Sequence, residues 1–319
     1  MMLLPTAVAS KELISRLQPR RFAAALQGGV PELLWNVGQR FGYAVVPRGP
    51  FSPVPDVPPM GDPVWSRRAS LPGVEFDLDA QLDFIDTELA RYVHEFDTEV
   101  RGRGFELWNT LFQAGDAELL YALVRHLKPR RMIEVGSGHS TRVSAAAALA
   151  NARDGSECEL VAIDPHPRTE IAETYGLSRL EMVDCRAVGF DPFQRLEAGD
   201  VLFVDTTHVV KLGSEVNWLI LEVLPRLEPG VWVHFHDIFA PHEYPWYMFV
   251  TAGILNEQYL LEALLLGNQW RVELANAALF IERHDALVNL VPSLKERVPG
   301  VPELQTWLPS SFWMRRTTA

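Results

Sequence analysis

Met132-Ile133-Glu134-Val135-Gly136-Ser137-Gly138-His139-Ser140 is the stretch on which the fold of this 319-residue chain turns. A short apolar run, Met132–Val135, meets two closely spaced glycines, and a helical stretch, Thr141–Ala152, comes at once after them. Glycine permits the tight turn and the close approach of backbone to a ligand, and a helix that starts there presents free N–H groups. In a parallel sheet the C-terminal ends of the strands form the ligand edge, so the stretch marks both an element boundary and a candidate site.

Working outward, the apolar runs Leu160–Ile163, Leu180–Val183, Val201–Val204 and Val231–Phe235 continue the pattern. Each is nearly uninterrupted and bounded by polar residues or glycine, as a strand buried on both faces requires. Helical stretches alternate with them. Asp116 reads as an N-cap before the stripe Leu120, Leu123, Val124 and Leu127, with Pro129 as the stop, and Ser214–Leu224 carries a second stripe. Such alternation predicts right-handed βαβ units and an α/β, Rossmann-like doubly wound sheet. Trp270–Leu274 and Ser310–Arg315 read as two further strands, with a short helix at Asp285–Leu290 between them. The final strand is expected as an antiparallel insertion.

Upstream, the character differs. Lys11–Leu17, Pro19–Leu26 and Pro31–Phe41 read as short helices, and the proline-dense span Pro47–Pro72 as extended chain. Asp79 is expected to cap a helix whose apolar face is Leu82, Ile85, Leu89, Tyr92 or Val93, and Phe96. Residues 1–115 are therefore expected to be a helical and irregular accessory region, and 116–319 the catalytic domain.

Composition narrows the function classes. Lys plus Arg number 29 against 41 Asp plus Glu, a formal charge of −12, and the paired arginines (Arg67–Arg68, Arg130–Arg131) are scattered. Nucleic acid and anionic membranes are disfavoured partners for such a chain. The two cysteines, Cys158 and Cys185, lack CxxC spacing, which argues against a disulfide framework or thiolate zinc site. No apolar window approaches the roughly 18 residues of a membrane span. A cytoplasmic location is expected.

Chemistry gathers at the predicted strand ends. Glu134 stands two residues before Gly136, where a carboxylate repels phosphate and favours a cationic ligand. Thr141 occupies the place of the third glycine that a dinucleotide fingerprint usually carries. Asp164, at the end of the second run, is placed to accept the ribose hydroxyls of an adenosine. Asp184, or the backbone of Cys185, ends the third run, near where an adenine amino group would lie. Asp205 and Asp237 end the fourth and fifth runs, with His208 and His236 close by. A carboxylate after an apolar run is costly unless partnered. The two acids can hold a divalent cation such as magnesium, or can orient a general base. His208 is the preferred base, because an imidazole titrates in the range needed to take a proton from a hydroxyl. His234, on the same sheet face as His236, reads as structural. The aromatic, proline-hinged loop Phe239–Tyr247 reads as a lid or substrate wall.

Taken in order, these segments resemble the class I S-adenosylmethionine (SAM)-dependent methyltransferases. The stretch Glu134–Ser140 (EVGSGHS) is similar to their first motif, Ala162–His166 (AIDPH) to the ribose-binding segment, and FVDTTH and HFHDIF to the fourth- and fifth-strand segments of bacterial small-molecule O-methyltransferases. The resemblance implies a seven-stranded sheet of the methyltransferase type. It also implies SAM held by Glu134, Gly136, Gly138, Ser140, Asp164, Asp184 and Cys185, and a small-molecule methyl acceptor. In the metal-dependent branch Asp205 and Asp237 would be ligands and His208 would fall near the catalytic lysine. That branch often has an oxygen-bearing third ligand where this chain has Ile238. Two other functions fit parts of the pattern: an NAD-linked oxidoreductase, and a catalytically silent SAM-binding or assembly protein. The accessory helices offer a surface for a homodimer.

Overall fold

The structure, a computed structural model, describes residues 29–44, 46, 52, 54–103, 105–251, 253–296 and 308–317. The helices expected at Lys11–Leu17 and Pro19–Leu26, and part of the proline-dense span, lie outside the described residues. The chain divides into two units, Met1–Pro59 and Met60–Ala319. Among its described residues the first contains one helix, Gly29–Arg40, close to the expected Pro31–Phe41. The second holds the sheet, and residues 60–115 belong to it.

Seven strands make one sheet: β1 (Arg131–Val135), β2 (Glu159–Ile163), β3 (Arg179–Glu181), β4 (Val201–Val204), β5 (Trp232–Phe235), β6 (Trp270–Ala275) and β7 (Phe312–Arg316). Their spatial order is β3-β2-β1-β4-β5-β7-β6. The first five run parallel, and β7 inserts antiparallel between β5 and β6. Near-continuous apolar runs form the parallel strands because helices cover both faces; every residue of β4 and β5 is buried. β3 is shorter than its apolar run suggests. It is the edge strand, and Met182 and Val183 run past the last pairing into solvent.

The register brings the strand ends together. Val135 pairs with both Ile163 and Val204, and Val204 with Phe235. Gly136, Asp164, Asp205 and His236 therefore leave neighbouring strands at one level, although 100 residues separate the first from the last.

Two caps differ from expectation. Asp77, not Asp79, caps the helix that begins at Leu78, its carboxylate accepting the Ala80 N–H at 3.0 Å; Asp79 pairs instead with Arg283 at 2.8 Å. The N-cap of the helix Asp116–Leu127 is Gly115, whose N–H donates to Glu118 at 2.8 Å. Asp116 lies one residue inside that helix and turns into the protein. Its carboxylate accepts the backbone N–H groups of Ser310 and Ser311 (2.8 and 2.9 Å) and the Asn276 amide at 2.8 Å. One carboxylate thus ties this helix to the start of β7 and to the helix after β6. Helical periodicity marks Asp116 as a helix start but carries no sign of partners 160 or more residues away.

The helix Asp116–Leu127 is buried nearly all round, packed against the helices His139–Arg153 and Ala90–Glu99, and so tolerates few polar groups. The exceptions are paired: buried Arg125 bridges Glu95 and Asp154, each at 2.8 Å. Glu95 also accepts the Tyr121 hydroxyl at 2.5 Å.

Asp116→Ala leaves two backbone donors and one amide unpaired in the interior, and is expected to cost roughly 3–5 kcal/mol, read as a lower midpoint in urea unfolding. Asp116→Asn, which keeps an acceptor oxygen, should cost less. Equal midpoints for the Ala variant and the parent would refute the anchoring role.

Candidate active site

The turn after β1 is set by Gly136. Its φ is +87°, and a Cβ there would lie 1.8 Å from the Asp205 carbonyl oxygen. The β1 and β4 ends are packed backbone to backbone, with Gly136 N–H donating to Ile163 O and Asp205 N–H to Val135 O, both at 2.9 Å. Gly138 is extended, and the space in front of it is open. A cleft of about 300 Å³ opens along this edge, between Gly136–Ser137, Asp164–His166, Asp184–Cys185 and Asp205–Thr207.

Of the residues expected to hold the cofactor, Gly136, Asp164, Asp184 and Cys185 line this cleft, and Glu134, Gly138 and Ser140 do not. Asp164 accepts Ser137 N–H and Oγ–H (3.0 and 2.7 Å) and His166 N–H (2.8 Å), which shapes the loop on either side of it. Asp184 is committed to Arg186, by backbone N–H and guanidinium, while Cys185 is buried in the cleft wall. Glu134 is fully buried behind the turn. Its Oε1 accepts the Ser140 hydroxyl at 2.5 Å, and its Oε2 has no partner. Burial raises its pKa to about 8 against the opposing hydrogen bonds of Ser140 and Thr141.

At the next strand ends two imidazoles sit among four carboxylates. His208 Nδ1 lies 3.0 Å from Glu257 Oε2, and its Nε2 lies 3.3 Å from Asp205 Oδ1 and 3.7 Å from Asp237 Oδ2. His236 Nδ1 is 3.8 Å from Asp205 and 3.7 Å from Asp237, and its Nε2 is 3.5 Å from Asp116. Burial disfavours charge on His208, but hydrogen bonds to Asp205 and Glu257 and the Asp237 charge outweigh it and lift its pKa well above the ordinary value. The same opposition, resolved by Asp237, Asp205 and Asp116, puts His236 at about 9. Asp205 reaches about 2: burial opposes its ionisation, and the neighbouring His236 and His208 more than reverse that. His234 is a different case. Stacked on Phe203 with ring centres 3.8 Å apart and set 2.9 Å from the Ser311 hydroxyl, it is driven well below the ordinary value by burial.

Two of these residues hold positive φ without being glycine, His208 (+58°) and Asp237 (+55°). Such backbone costs on the order of 1–2 kcal/mol per residue and persists only where surroundings impose it. At His208 they do so through its carbonyl, which accepts Asn256 N–H and Glu257 N–H (3.1 and 3.2 Å) at the start of the helix Glu257–Leu265. The Asn256 side chain holds Val210 as well. By sequence alone Asn256 and Glu257 offer no more than general polar contacts. Glu257 is in fact the buried partner of His208, 49 residues away, and no local spacing announces it.

The loop after β5 packs as a wall. Arg68 and His242 form a β-bridge, Ala69 N–H donates to Pro241 O at 2.7 Å, and Arg67 reaches Glu243 and Glu262 at 3.4 and 2.9 Å. Gln258 fastens the same loop, accepting Phe239 N–H at 2.7 Å and donating to His242 O at 2.8 Å.

Residues 133–238 match the family model described as a methyltransferase domain. The chain carries a methyltransferase domain. The matched span runs from β1 through Asp237 and so includes both the cleft and the paired acids. The methyltransferase has no match among curated proteins. It is similar to three solved structures, among others. One is a cofactor-bound protein from MTB (17% identity, 76% of this chain and 96% of that one, TM-score 0.34). Another is CalS11, a TDP-rhamnose 3'-O-methyltransferase of calicheamicin biosynthesis (12% identity, 76% and 95% covered, TM-score 0.38). The third is an O-methyltransferase from Bacillus cereus in complex with SAH (14% identity, 75% and 97% covered, TM-score 0.30). The matched domain is one of methyl transfer and not of hydride transfer.

The residues present fit SAM. A cleft at the β1–β2–β4 edge, a glycine turn where a Cβ is impossible and open space before Gly138 together suit an adenosine joined to an amino acid. They do not fit a divalent ion as arranged. Asp205 and Asp237 are each shared by the His208 and His236 imidazoles, and among the described residues no group of three or more His, Cys, Asp or Glu is set to hold a metal. Among the described residues no helix is long and apolar enough to cross a membrane.

The raised pKa values carry a signed consequence for the methyltransferase. A group that binds its proton more tightly when folded stabilises the fold fully below its unfolded pKa, and loses that contribution as pH rises through the folded value. For His236 the window runs from 6.5 to about 9, and His208 and Glu134 act in the same direction. The melting temperature is expected to fall between pH 6.5 and 9, and His236→Gln to flatten that fall. A parent profile that is level across this window would contradict the charged-imidazole description.

Proposed function

We propose that the methyltransferase moves the methyl group of SAM to a hydroxyl of a small molecule, with His208 as the proton acceptor. The observation that carries this reading is the geometry of His208: Glu257 holds Nδ1 at 3.0 Å, and Nε2 faces the gap between Asp205 and Asp237. SAM, when bound, supplies an electrophilic methyl on a sulfonium whose departure leaves a neutral thioether. In this reading Gly136 and the open backbone at Gly138 give room for its methionine part. Asp164 exchanges its Ser137 contact for the ribose hydroxyls, and Cys185 walls the adenine. The acceptor oxygen forms the new bond to carbon while His208 Nε2 takes the hydroxyl proton.

The three carboxylates around His208 make it a strong base that is already loaded at neutral pH. Turnover therefore rises with pH until the ring empties. Asp205 and Asp237 act here as partners that hold and polarise the imidazole. To serve as magnesium ligands they would have to release both histidines, so added EDTA is expected to leave turnover unchanged.

Asp164→Ala should weaken SAM binding at least tenfold, measured by calorimetry, with turnover at saturating SAM less affected. His208→Ala should bind SAM normally and lose about 10²–10⁴-fold in turnover. Glu257→Gln, by removing one charge, should shift the rising limb of the pH–rate profile to lower pH. His208→Ala with parental turnover would remove the base assignment. SAM binding with no turnover on any acceptor would favour the silent SAM-binding protein.

A further inference from the structure

A second pocket, of about 280 Å³, lies on the other side of the paired acids from the SAM cleft. The two share a thin wall: Asp205 lines the cleft, His236 and Asp237 line the pocket, and His236 Nδ1 is 3.8 Å from Asp205. Asp237 on the pocket side also lies 3.7 Å from His208 Nε2, so a hydroxyl at that end of the pocket meets the base at the strand ends where the methyl group would arrive. Much of its wall is apolar: Leu111 and Ala114 from the segment before the helix Asp116–Leu127, Phe239 from the loop after β5, Met248 from the short helix Trp246–Thr251, and Leu308 and Pro309 from the approach to β7. Leu111 is half exposed, at 55%, and marks the mouth. The ionisable groups, Asp116, His236 and Asp237, lie together with Ser310 at one end, while Thr110, Gln113 and Tyr247 add neutral polar groups to the lining.

Resting on the methyl-transfer reading above, we infer that the acceptor is a compact, single-ring hydroxyl compound that is uncharged or cationic, bound in this pocket with its hydroxyl at the Asp237 end of the floor, beside His208 Nε2. Size comes first: the volume, about 280 Å³, falls just below the roughly 300–1,000 Å³ that small-molecule pockets span, which suits one substituted ring. The walls favour the ring by removing apolar surface from water. The floor sets the charge. At the pocket the carboxyl groups of Asp116 and Asp237 outnumber the one imidazole, His236, and Asp205 stands directly behind it. A carboxylate or phosphate carried into such a site is desolvated against like charge, whereas an ammonium group is not.

The test is calorimetric and NMR-detected binding to the full chain saturated with S-adenosylhomocysteine, in EDTA and again in magnesium. The probes are 4-hydroxybenzylamine, 4-hydroxybenzyl alcohol, 4-hydroxybenzoate and 4-hydroxyphenyl phosphate. The amine and the alcohol are expected to bind at least tenfold more tightly than the two anions in both buffers. Asp237→Asn should narrow the margin of the amine over the anions. Ala114→Leu, which fills the pocket, should abolish binding of every ring probe while S-adenosylhomocysteine affinity stays as in the parent, which also shows that the variant folds. The inference is overturned if an anion binds as well as the amine in either buffer, if no probe binds, or if Ala114→Leu leaves probe binding intact. Failure of S-adenosylhomocysteine to bind at all sinks the methyl-transfer reading itself, and the inference with it, so the two failures are told apart in one experiment.

Discussion

Buried charge has to be balanced, and in this protein the balance is struck at one edge of one sheet. Asp205 and Asp237 leave β4 and β5 where apolar strands end, and a carboxylate is costly there without a partner. His208 and His236 supply the counter-charge, and each is held from behind by a further carboxylate, Glu257 or Asp116. The six groups depend on one another. The low pKa of Asp205 and the high pKa of His236 are two views of one interaction.

The supporting carboxylates reach far along the chain. Asp116 belongs to the helix that precedes β1, yet it fixes the start of β7, 194 residues later. Glu257 opens the helix after the aromatic loop and holds a residue from the β4 loop. The carbonyl of His208, in a strained left-handed conformation, is received by the first N–H groups of that same helix. Strain in the His208 backbone is thereby offset by helix-terminal donors that would otherwise need other partners.

The arrangement also separates two binding regions. On one side of the acids the glycine turn and Asp164 shape a cleft suited to an adenosine; on the other, a small apolar pocket has a polar floor. The loop after β5 forms part of that pocket and is anchored by Arg67, Arg68 and Gln258. Its aromatic, proline-hinged composition is compatible with a lid or a wall, and the anchors give it the build of a wall.

Much of this was legible in the sequence because it is local. Apolar runs bounded by glycine or acid place β1, β2, β4 and β5, and because parallel strands end in register, the residues just beyond them must meet. Gly136, Asp164, Asp205, His208 and Asp237 are all found by that rule, as is the antiparallel last strand by its own apolar run. A residue one step past a strand is placed by pattern; the group that faces it from across the fold is not. The burial of Glu134 behind the turn, the service of Asp116 as an anchor and not a cap, the pairing of Glu257 with His208 and the pocket beside His236 are all products of packing, most of them between segments tens to hundreds of residues apart. A carboxylate at a helix start looks the same in sequence whether it meets water or a buried imidazole. Only the packing of those elements, which sets the distance and the dielectric between the two groups, decides which it is.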